Sequence, residues 1–172
     1  HDIPIYFHET ADPITIKKLL ESVVDAPVSV EFSELVKLYE PGNSYADVLE
    51  RSRKFLEEDR HPVEENKLIV IEHLLDRLVG DLDDVDIQDD LTLEAGVNVM
   101  DLSDMDDPVQ QIAIASTVEE IKDNHENVIV GIDEAHNFIP QNGKPPANEP
   151  IVNLIREGAA SDVWVWLSDQ TI

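Results

Sequence analysis

Between Asn127 and Pro140 the chain reads Asn-Val-Ile-Val-Gly-Ile-Asp-Glu-Ala-His-Asn-Phe-Ile-Pro. The run Val128-Ile129-Val130-Gly131-Ile132 is apolar, rich in β-branched residues, and stops abruptly at Asp133 and Glu134. A run of this kind, without polar alternation, predicts a strand buried on both faces. Such strands belong to parallel sheets with helices on either side, which confines the chain to α/β architecture. The carboxyl ends of these strands form the edge at which open α/β sheets bind ligands.

The flanking sequence extends the pattern. Val97-Asn98-Val99-Met100-Asp101-Leu102 is a strand candidate after Gly96. Asp107-Pro108 then opens a helix, with Asp as cap and Pro in the first turn. Ile114, Ala115, Val118 and Ile121 are helically spaced up to about Asp123. After the strand at 128–132 comes the proline-rich loop Pro140 to Pro146, then a short helix from Ile151 to Glu157 stopped by Gly158. Val163-Trp164-Val165-Trp166-Leu167 is the next strand, with both tryptophans on one face, where packing against a helix or a partner subunit is the expectation. Strand, helix, strand, helix, strand is the alternation of a parallel sheet with crossover helices.

The first half reads differently. Ile3 to Phe7 is a short strand candidate, with Pro4 placing it near an edge. Helices are expected over about 14–24, 29–39, 45–60 and 62–82, the third capped by Ser44. The last carries Leu68, Ile71, Leu74, Leu75 and Leu78 as its inner face. Residues 81–90 are acidic and read as a solvated linker. They lack the Gly that an EF-hand calcium loop needs. The expected division is therefore a mostly helical subdomain over 1–95 and an α/β segment over 96–172.

Charge is extreme, with 38 Asp+Glu against 12 Lys+Arg and a formal net of -26. The acids are spread along the whole chain, which predicts a solvated acidic surface of the kind suited to molar salt, rather than the compact acidic face of a DNA mimic. The balance argues against a broad basic DNA-binding face. With no cysteine, disulfides, thiolate zinc sites and cysteine nucleophiles are excluded. No apolar run reaches the roughly 18 residues of a membrane span. His1-Asp2-Ile3-Pro4 lacks the basic start of a signal peptide. A cytoplasmic location and a fragment of a longer chain are the expectations.

Two acids at a buried strand end suit metal-assisted hydrolysis. The first can hold Mg²⁺ beside the phosphates, and the second can take a proton from the attacking water. Other catalytic patterns fail. His125-Glu126 is followed by Ile129 where a zincin needs its second His, the remaining histidines stand alone, and no Gly-x-Ser-x-Gly is present.

Ile-Asp-Glu-Ala-His-Asn-Phe-Ile-Pro at 132–140 resembles the Walker B region of HerA-type ATPases, archaeal and bacterial relatives of FtsK DNA translocases. Val97 to Ser103, the helix 108–123, Leu154-Ile155-Arg156-Glu157-Gly158 and Val163 to Thr171 resemble that family's flanking elements. The resemblance covers 96–172, and is only architectural over 1–95, where that family carries a variable helical insertion. It implies a partial RecA-like P-loop NTPase core, a parallel sheet with a helical insertion in the N-terminal half. It implies Mg²⁺ and ATP as cofactors, with Asp133 on the metal, Glu134 activating water and Gln170 as a polar sensor near the γ-phosphate. His136 and Asn137 would couple the site to neighbouring groups. DNA, a homo-oligomeric ring (a hexamer) and a partner nuclease are the implied partners.

The chain departs from that pattern in three places. Gly158-Ala159-Ala160-Ser161 replaces a basic turn, Asp169 stands where Ser or Thr is usual, and no Gly-x-x-x-x-Gly-Lys-Ser/Thr loop is present. The expectation is that this loop lies upstream of His1. Superfamily 2 helicases share Asp-Glu-Ala-His, but their Ser-Ala-Thr motif is absent. The competing expectation is a non-catalytic acidic α/β protein-interaction module carrying a relic Walker B.

Overall fold

The computed structural model describes residues 1–6, 18, 38–40, 42, 44–57, 62–83, 87–88, 91–142 and 145–169. The elements in order are β1 (Ile5–Tyr6), α1 (Tyr45–Glu57), α2 (Pro62–Asp83), β2 (Ile87–Gln88), α3 (Asp107–Asn124), β3 (Val128–Ile132), α4 (Asn148–Glu157) and β4 (Val163–Leu167). Short 3-10 turns cover Ala135–Asn137 and Gly158–Ser161. The protein is mixed α/β with parallel strand pairs. The helices expected over 14–24 and 29–39 fall almost wholly outside the described residues.

The chain divides into two compact units, His1–Phe7 with Ile87–Ile172, and His8–Asp86. The boundary drawn at 95/96 therefore differs from the observed one in two ways. The first residues belong with the second half, and so does the segment from Ile87. The acidic stretch read as linker contains β2, which pairs in parallel with β1 through Ile5↔Ile87 and Tyr6↔Gln88. Pairing between residues so far apart leaves no local trace in a short segment, which is why only its acids were legible.

In the discontinuous unit, β3 and β4 run parallel in the register Val128↔Val163 through Ile132↔Leu167. Parallel neighbours need a crossover, and α4 supplies it. Both strands have the bounds expected from their apolar runs. Asn127 and Asp162, each just before its strand, take left-handed backbone conformations with φ 59 and 54. Asn and Asp tolerate that region better than other non-glycine residues.

The expectation of burial on both faces is not met. Ile132 and Val163 are buried, and Val128, Val130 and Val165 pack partly buried against the core. On the opposite face Ile129 is 72% exposed, Trp164 59% and Trp166 72%. The covered face meets α3 and α4 through Ala115, Val118, Ile121, Ile151 and Leu154, with Phe138 closing one end. Burying each large aliphatic of that set contributes about 1.5–3 kcal/mol. Among the described residues no helix covers the tryptophan face. Apolar residues on both faces hid this from the pattern, because strand periodicity reveals a solvent face only where that face is polar.

Three local readings also change. Val97–Leu102 forms a single parallel bridge, Asp2↔Val99, instead of a strand. Val99 donates to the His1 carbonyl at 2.8 Å and accepts from Ile3 N–H at 2.9 Å. The cap of α3 is Asp106, in extended conformation, with Asp107 and Pro108 inside the first turn. Helix α4 begins at Asn148, three residues early, because Pro150 is tolerated in a first turn where no intrahelical N–H is needed. Its end at Gly158 is right-handed, with φ -59. Glycine is needed there for space, since a Cβ would lie 2.8 Å from the Val163 carbonyl oxygen.

The second unit holds α1 packed on α2. Tyr45, Val48, Leu49 and Ser52 are buried on α1, and Ile71, Leu74, Leu75 and Leu78 on α2. Arg53 pairs across them with Glu72 at 3.4 Å and with Asp76. The expected Ser44 cap is present. Its Oγ accepts from Asp47 N–H at 3.1 Å, and Asp47 Oδ2 accepts from Ser44 N–H at 2.9 Å.

Candidate functional site

The carboxyl ends of β3 and β4 are tied together by backbone. Ser168 N–H donates to the Ile132 carbonyl at 2.9 Å, and Ala135 N–H donates to the Ser168 carbonyl at 3.0 Å. This holds the first residues after each strand side by side. The chain leaves β3 through Asp133, whose Oδ1 accepts from Glu134 N–H at 3.0 Å. Asp133 is exposed.

Glu134 then takes a left-handed conformation, φ 50 and ψ 42. For a residue with a Cβ that costs on the order of 1–2 kcal/mol. The reversal starts the 3-10 turn Ala135–Asn137 and lets Ala135 and Phe138 bury themselves in the core. Anchored apolar residues on either side thus leave Glu134, His136 and Asn137 at the rim.

His136 points back across the two strand ends. Its Nδ1 lies 2.9 Å from Asp169 Oδ1 and 3.5 Å from Glu134 Oε2. One donor atom from each of Glu134, His136 and Asp169 falls within 4.8 Å of the others. All three side chains are partly open, at 39%, 54% and 41% exposure. The imidazole can donate to one carboxylate at a time from Nδ1, and the shorter contact is to Asp169.

Asn137 contributes through its backbone. Its carbonyl accepts from Gln111 Nε2 at 2.9 Å, and Gln111 Oε1 accepts from Ala147 N–H at 3.4 Å. Gln111 is buried on α3 and joins the loop after β3 to the residue preceding α4. No buried side-chain nitrogen or oxygen among the described residues lacks a partner.

The structure thus gathers Asp133, Glu134, His136 and Asn137 on one loop. Gln170 lies outside the described residues. Two participants were not expected. Asp169 stood out only as a departure from a pattern, yet it is the partner of His136. Gln111 carried a readable signal: it lies one turn from Ala115 and two from Val118 on the buried stripe, and a polar side chain on a core face must find partners.

Chemically the rim offers hard carboxylate oxygens, one imidazole, and a carboxylate beside it able to accept a proton. No protein-family model matches the chain, and no curated protein matches it in sequence. The geometry of the site is therefore the basis for a functional reading.

Proposed function

We propose that this chain carries the metal-binding and water-activating half of an ATP-hydrolysing site in a RecA-like core, working in a HerA-type DNA translocase or helicase. The observation that supports the reading is the parallel pair β3–β4, joined through α4, with Asp133 and Glu134 at its carboxyl edge beside Ser168 and Asp169.

The residues suit the cofactors this implies. Mg²⁺ takes one or two protein carboxylates and completes its shell with phosphate oxygens and water, and Asp133 is an exposed carboxylate at the strand end. Bound Mg²⁺-ATP supplies the reactive phosphoryl group and neutralises charge on its oxygens. The chain's own part is positional. The strand-end hydrogen bonds fix the backbone of Ile132 and Ala135, so Glu134 between them is held at one place. Its carboxylate accepts the proton of a water, and Asp169 holds His136 next to that carboxylate. A positioned base contributes typically about 10²–10⁴-fold. DNA, a hexameric ring and a nuclease partner belong to this proposal as the surroundings in which such a motor works.

The test is turnover of the complete gene product in molar KCl, with and without DNA. Glu134→Gln keeps size and hydrogen bonding but cannot take the proton. It should lower kcat at least about a hundredfold with little change in KM. Surviving turnover would remove Glu134 from the base role. A coding sequence with no Gly-rich Lys-Ser/Thr loop ahead of His1 would sink the ATPase reading and favour the interaction module, for which the open Ile129, Trp164 and Trp166 face speaks.

A further inference from the structure

We propose that Glu134, His136 and Asp169 form a binding site for a divalent cation of the zinc class, distinct from the carboxylate oxygens of Asp133. The spacing carries the argument. Two ligands on one tetrahedral cation with bonds of about 2.0–2.2 Å lie about 3.3–3.6 Å apart. His136 Nδ1 sits 3.5 Å from Glu134 Oε2, already at that separation, and 2.9 Å from Asp169 Oδ1, a hydrogen-bond contact that opens by about half an ångström when a cation takes the place of the proton. The third pair falls within the 4.8 Å that encloses all three donors. All three side chains are partly exposed, so each has room to turn onto one cation.

The donor chemistry sets the class. The chain has 38 carboxylates, and exposed carboxylates alone take Mg²⁺ or Ca²⁺ weakly. An imidazole between two carboxylates shifts preference to borderline first-row cations, which bind nitrogen far better than Mg²⁺ does. Three protein ligands leave one position open on a tetrahedral ion. The donors are brought together by the backbone lock between Ile132, Ala135 and Ser168, not by flexible side chains alone. The site needs no nucleotide and stands independently of the ATPase reading. One consequence does rest on that reading: a zinc ion on Glu134 Oε2 withdraws the proposed base and inhibits turnover.

The experiment is calorimetric titration of the 172-residue chain with Zn²⁺ alone, in molar KCl with excess Mg²⁺ to occupy plain carboxylates. One saturable site per chain is expected. His136→Ala, Glu134→Gln and Asp169→Asn should each weaken it at least about tenfold, while His73→Ala in the other unit leaves it unchanged. His136→Gln keeps a donor toward Asp169 and loses the imidazole, so it should lose the site with the circular dichroism spectrum preserved. Absence of a saturable site above Mg²⁺, or a site untouched by both His136 variants, overturns the proposal. Neither result bears on ATP turnover, which the Glu134→Gln comparison in the complete gene product reads separately.

Discussion

Gln111 Nε2 donates to the Asn137 carbonyl at 2.9 Å across 26 residues of sequence. Its Oε1 at the same time accepts from Ala147 N–H. One buried amide thereby satisfies backbone groups on both segments that flank the loop 138–146. Gln111→Leu fills similar volume but leaves a carbonyl and an N–H unpartnered. Each unsatisfied buried group costs about 1–3 kcal/mol. Gln111→Leu should therefore lower the unfolding free energy by about 1–3 kcal/mol, read as a lower urea midpoint at unchanged slope. A midpoint within error of the parent would show that the loop repartners elsewhere.

Two glycines, Gly131 in β3 and Gly158 at the end of α4, should respond in opposite ways. At Gly158 a Cβ would sit 2.8 Å from the Val163 carbonyl oxygen and 3.2 Å from Leu154 Cδ1. A backbone oxygen cannot swing aside, so α4 must separate from β4. Gly158→Ala should destabilise by about 1–3 kcal/mol. At Gly131 nothing lies within 4 Å of the added atom, and alanine restricts the unfolded chain. Gly131→Ala should be neutral or stabilising by up to about 1 kcal/mol. Thermal unfolding of the pair decides it, and equal shifts would contradict the packing described for Gly158.

How much of this was legible depends on range. The runs 128–132 and 163–167 gave their strand bounds directly, because β-branched and aromatic residues end sharply at Asp133 and Ser168. Ser44 and the α2 stripe were local too, and Ile71, Leu74, Leu75 and Leu78 are buried as their spacing required. What failed was non-local. Nothing in Ile87-Gln88 announces Ile5-Tyr6 as its partner, and His136 meets Asp169 across 33 residues. Asp133 and Glu134 were visible as a pair because they interrupt an apolar run. That Glu134 is left-handed depends on Ala135 and Phe138 finding the core, which no spacing rule states.

The Ser44–Asp47 cap gives the helical unit an acid-side signature. The Ser44 backbone N–H first, and then its hydroxyl, hold the Asp47 carboxyl below its ordinary 3.8. A depressed native value means the unfolded chain binds the proton more readily. The cap therefore contributes in full above pH 3.8 and is lost as pH falls through the lower native value. Asp47→Asn should reduce α1 stability at neutral pH, and its difference from the parent should shrink below pH 3.8. Far-UV circular dichroism melts across that range measure it. A gap that stays constant with pH would remove Asp47 from the cap.

Salt tests the charge balance as a whole. Arg51 pairs with Glu40, Arg53 with Glu72 and Asp76, and Lys122 with Glu157. All of these are surface pairs worth little each. With 38 acids against 12 Lys and Arg, acidic groups outnumber basic ones more than three to one. Raising KCl from about 0.1 M to 1 M shortens the Debye length from about 10 Å to 3 Å. Screening weakens attractions and repulsions alike, and here repulsions are the more numerous. The unfolding temperature should rise by several degrees, since each kcal/mol moves it by about 2–4 °C in a chain of this size. Sucrose at matched osmolarity should not reproduce the full rise, because it leaves the charges unscreened. A melting temperature that falls or stays flat with KCl would mean that the acids are spaced widely enough for water alone to quench their repulsion.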